Sequence, residues 1–105
     1  MTERTEPVDM DALLARILTE PTRAARLLTE TAARLEADHP FLVLPRVELN
    51  RIARDVARDV LAGLPPVVVD EANQRARAVC PQLRDHEGET KGEYALRLRD
   101  AARGL

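Results

Sequence analysis

A chain of 105 residues, 45% apolar and 32% charged, is long enough to bury one core of its own and too short for a cofactor domain beside a substrate domain. Its apolar content excludes disorder throughout. Sixteen basic residues against eighteen acidic ones leave a net charge of −2, so no bulk field draws the chain to nucleic acid or anionic lipid.

In chain order, residues 1–8 are polar and predict a frayed end, after which Asp9 or Asp11 caps a short helix carrying Leu13, Leu14, Ile17 and Leu18. That helix ends near Thr19. Pro21 suits the first turn of a second helix, in which Ala24, Leu27, Leu28, Thr31, Ala32 and Leu35 form one apolar stripe to about Ala37. Proline disfavours helical geometry at Glu20, so the junction is either a kink in one long helix or a sharp corner. Leu-Thr-Glu at 18–20 recurs at 28–30 and Ala-Ala-Arg-Leu at 24–27 recurs at 32–35, but the unequal offsets argue for helical low complexity rather than a structural repeat.

Residues 38–44, Asp-His-Pro-Phe-Leu-Val-Leu, interrupt the helical period and read as a hydrophobic connector. Four consecutive apolar side chains outside a helix do not all point inward, which makes Phe41, Leu42 and Leu44 candidates for contact with a partner. A long amphipathic helix follows over 45–63. Its stripe of Leu49, Ile52, Ala53, Val56, Ala57, Val60 and Leu61 runs on to Leu64, with Pro45 at its start and Gly63 at its stop.

Pro65 and Pro66 open a fourth helix with Val68, Ala72, Ala76 and Val79 on one face, up to Cys80 and Pro81. The β-branched run at 67–69 has no second strand pattern to pair with. Residues 81–89 read as a flexible linker, and Thr90-Lys91-Gly92-Glu93 matches a capping box opening a last helix over 91–103. Tyr94, Ala95, Leu98, Ala101 and Ala102 share its apolar face, and Leu96 falls opposite them as a fourth candidate contact. The predicted fold class is therefore all-α: a single domain over 1–105, a small bundle of four to five helices with the 45–63 helix at its centre.

The polar side of that long helix carries Arg51, Arg54 and Arg58 along one flank and Glu48, Asp55 and Asp59 along the other. Three arginines at this spacing suit phosphates or carboxylates. The adjacent acidic stripe repels phosphate, and helical ion pairs account for the pattern without a ligand. A helix-turn-helix is disfavoured, because the connector after the second helix is long and holds Pro40, while the fourth helix begins Val-Val-Val-Asp-Glu where base contacts normally start. The excess of Arg over the one lysine, Lys91, matches the coding bias of a GC-rich genome.

Chemistry-bearing motifs are missing from the sequence: no nucleophile elbow, Walker loop, dinucleotide glycine fingerprint or paired helical histidine occurs. His39, His86 and Cys80 are not at metal-ligand spacing, and Asp85-His86-Glu87 reads as solvated linker. Cys80 alone forms no intrachain disulfide, the amino terminus has no apolar signal core, and no apolar run spans a membrane, which together point to the cytoplasm. The expectation is a non-enzymatic accessory module that binds a protein partner or pairs with itself as a homodimer, with no cofactor, metal or small-molecule substrate. A DNA-associated regulator using Arg51, Arg54 and Arg58 is the competing expectation.

Overall fold

In the computed structural model, residues 22–105 are described; the expected frayed end and the helix carrying Leu13 to Leu18 lie outside them. Four α-helices follow in order: α1 over Arg23–Ala37, α2 over Arg46–Val60, α3 over Pro66–Val79 and α4 over Lys91–Ala102, with a short 3-10 turn at Asp85–Glu87 before the last. The all-α fold class is as predicted. Among the described residues there is no strand, only an isolated antiparallel bridge between Val43 and Thr90.

Local chemistry sets the helix bounds. The Thr22 hydroxyl accepts from the Ala25 amide at 3.0 Å, capping α1 and starting it at Arg23. Helix α2 stops at Val60, short of the expected residue 63. Leu61 already leaves helical geometry at φ −101, ψ 10, and Gly63 turns the chain at φ +76, a conformation that costs a residue without Cβ least. Pro66 opens α3 in its first turn, so Val67, Val68 and Val69 are helical despite their β-branching. The capping box forms as predicted: Thr90 accepts from the Glu93 amide at 3.2 Å, and the Glu93 carboxylate accepts from the Thr90 amide at 2.9 Å.

The centre of the bundle is α1 rather than the 45–63 helix. Helix α1 packs on each of the other three, most extensively on α4. Its Ala32 and Leu35 are fully buried, as is Ala95 of α4, and Leu98 and Tyr94 are almost so. The short side chains let the two helix backbones approach closely, and the leucines fill the layers between them. From α2, Ile52, Val56 and the following Leu61 reach this core, whereas α3 buries only Ala72 and Ala76.

Residues 81–89, expected as a linker, are packed. Leu83 is buried, the Tyr94 hydroxyl donates to the Pro81 carbonyl at 2.6 Å, and one guanidinium nitrogen of Arg97, Nη1, donates to both Glu89 carboxylate oxygens at 2.7 and 2.8 Å. The Glu89 carboxylate also accepts from the Arg84 amide at 3.1 Å. A buried carboxylate requires such partners, and here they tie the segment back onto α4.

Candidate interaction surface

The connector after α1 is clipped to the start of α4 by backbone hydrogen bonds. The Gly92 amide donates to the Pro40 carbonyl at 2.7 Å, the Lys91 amide to Leu42 at 2.8 Å, and the Leu44 amide to Glu89 at 2.9 Å. A Cβ on Gly92 would lie 3.1 Å from the Pro40 oxygen, tighter than ordinary contact, so a side chain here would push the connector outward by a few tenths of an ångström. His39 takes a positive φ of 53 where the chain leaves α1 for the clip.

These bonds fix which connector side chains face solvent. Phe41 is 73% exposed, Leu42 48% and Val43 52%, while Leu44 is wholly buried and belongs to the core. Leu44 is therefore withdrawn from the expected contact set. Leu96 is 62% exposed and stands one helical turn beyond Gly92, on the side of α4 that the connector abuts. Phe41, Leu42 and Leu96 are thus exposed as expected, together with Val43, which the sequence reading had not singled out. The edge of Phe41 packs against the His39 ring, with centroids 6.0 Å apart.

Beneath this patch sits an ionic clasp. Lys91, the chain's one lysine, is 4% exposed and its ammonium donates to Glu48 at 2.8 Å and Asp38 at 3.1 Å, joining α4 to α2 and to the end of α1. Its hydrogen bond to Glu48, and secondarily that to Asp38, raises its pKa above the ordinary lysine value. Asp38 is held below the usual carboxylate range by its hydrogen bond to His39 and then by Lys91. No periodicity signals a buried lysine; only its place in the first turn after the capping threonine hints that it sits at a junction.

The arginine flank of α2 is solvated and partly neutralised. Arg51 lies 3.9 Å from Glu48 and Arg58 3.4 Å from Asp55, while Asp59 pairs with Arg34 of α1. Arg54 makes no ion pair among the described residues and leans over a groove of about 510 Å³. The groove opens between α2 and α3, floored by Leu27, Leu28 and Leu98 and walled by Ala53, Ala57 and Ala76. Ala53, expected in the buried stripe, is exposed on this groove.

Cys80 is exposed, its sulfur 3.5 Å from the Tyr94 hydroxyl, and burial pushes that phenol upward. His86 lies 3.7 Å from Asp85 and 3.9 Å from Glu87 on the exposed 3-10 turn. Among the described residues no three His, Cys, Asp or Glu side chains converge to hold a metal ion, and no helix is long and apolar enough to cross a membrane. Compared with protein-family models, curated proteins and solved structures, the chain matches none.

Proposed function

We propose that this chain is a non-enzymatic interaction module that pairs with a second copy of itself through the connector patch. The observation that supports this reading is the exposure of three consecutive apolar side chains, Phe41, Leu42 and Val43, on a connector hydrogen-bonded to the start of α4, the helix that carries exposed Leu96; Val47 and Val67 are also exposed, on other helices. An apolar patch over a rigid, ionically clasped base is pre-organised, so pairing orders few new side chains. A twofold arrangement suits it, because one self-complementary patch suffices for a closed dimer. Arg51 and Arg58 of α2 face solvent beside carboxylates of their own helix, which favours protein over phosphate as the partner. A lone, exposed Cys80 suits a reducing compartment such as the cytoplasm.

Light scattering over a wide concentration series tests the reading. The expected mass is that of a dimer, and Leu96→Glu returns it to that of one chain with the helical circular dichroism signal preserved, since Leu96 is exposed and its replacement leaves the core intact. A single-chain mass at every concentration, or an unchanged dimer in the Leu96→Glu variant, overturns it.

A further inference from the structure

Lys91 holds the connector at three places. Its ammonium binds Asp38, where the connector leaves α1, and Glu48, just beyond the connector in α2, while its amide donates to the Leu42 carbonyl between them. The Gly92 amide adds a bond to the Pro40 carbonyl. A cation in the first turn of a helix opposes the helix dipole, so the charge of Lys91 serves the connector rather than α4.

Apolar packing holds the connector only weakly. Phe41, Leu42 and Val43 are exposed, and Leu44 alone reaches the core. At the other end His39 bends the chain through φ +53, an uncommon conformation for a residue with a Cβ. A segment with few buried apolar contacts, fastened by a short seam of hydrogen bonds, is the part of a fold that opens first.

We infer that residues 38–43 form a strap that opens from α4 as one unit, pivoting at buried Leu44 while the helices stay packed, and that the Lys91 ammonium is its latch. Closed, the strap fixes Phe41, Leu42 and Val43 against the bundle; open, it displaces all three and bares Lys91. Presentation of these side chains is thereby set by one ionic contact, whatever they bind. The side chains of Asp38 and Glu48 are 54% and 23% exposed, so water hydrates them when the ammonium is removed and the bundle keeps its fold.

Native-state hydrogen exchange on the full chain, read by NMR at one protein concentration, tests this. The first four amides of a helix have no carbonyl within it, so protection of the Lys91 and Gly92 amides reports the strap directly. The expected result is a shared protection factor at these two amides at least about tenfold below those of buried Leu35 and Leu98, which exchange only when the bundle unfolds. In Lys91→Met the amides at positions 91 and 92 lose a further factor of about ten, while Leu35 and Leu98 change far less. Protection at 91 and 92 equal to that of the core in the parent chain overturns the strap. Protection there that is unchanged in Lys91→Met, or that falls by the same factor as at Leu35 and Leu98, overturns the latch. Glu48→Gln keeps an acceptor and removes only the charge, so it decides the matter should Lys91→Met fail to fold: a loss of about threefold confined to the same two amides is expected, and no loss overturns the latch.

Discussion

The α1–α4 pair and the α2–α3 pair of this bundle are held in different ways. Helices α1 and α4 face each other through wholly or almost wholly buried side chains, Ala32, Leu35, Ala95 and Leu98, and are further joined by an ion pair of Glu36 with Arg99, whereas α2 contributes one wholly buried side chain, Val56. Helices α2 and α3 each pack on α1 but leave a groove between themselves, and α3 contributes only two buried alanines. Cohesion in a small helical domain follows buried area per residue, and alanine supplies little of it. The difference separates a rigid base, on which the connector patch is displayed, from a looser wall beside the groove.

Substitutions in the two regions sharpen this contrast. Leu98→Ala removes a nearly fully buried leucine from the α1–α4 interface and is expected to lower unfolding free energy in urea by about 2–5 kcal/mol. Ala76→Gly in α3 forfeits helix propensity and one small buried methyl, with an expected loss of about 1 kcal/mol in the same titration. Equal losses at the two sites would break the distinction.

The smallest effect is in acid. Glu36 is held below the ordinary carboxylate range by its hydrogen bond to Arg99. Its contribution is therefore complete above the unfolded value and disappears as the pH falls through the lower, folded one, a window around and below about pH 4. Glu36→Gln should flatten that part of the stability profile. An unchanged acid limb would show that the pair does not link α1 to α4.

How far the sequence announces these regions depends on whether their determinants are local. The α1 stripe from Ala24 to Leu35, the proline at the start of α3 and the Thr90–Glu93 capping box all act within a few residues of themselves, and each is visible in the chain's spacing. The connector is different. Whether Leu44 or Leu42 faces the core is decided by hydrogen bonds to residues 89 and 91, far along the chain, and no periodicity reports that pairing. The same holds for Glu89, Lys91 and Leu83, whose burial follows from partners on other elements. Ala53 errs the other way, since a stripe reads as buried even where the neighbouring helix stands off and leaves a groove. Of the expected patch, Leu96 is legible in the sequence, because a position opposite an apolar helical face is itself a local signal, and it is exposed.

The clasp at Lys91 has a practical and biological corollary. Every other cationic side chain apart from histidine is an arginine, and the single ε-ammonium is enclosed by Glu48 and Asp38. Acylating reagents, amine cross-linkers and enzymes that conjugate tags to lysine therefore meet a folded surface with almost no ε-amine to attack, and modification at Lys91 would first have to open the junction between α4 and α2.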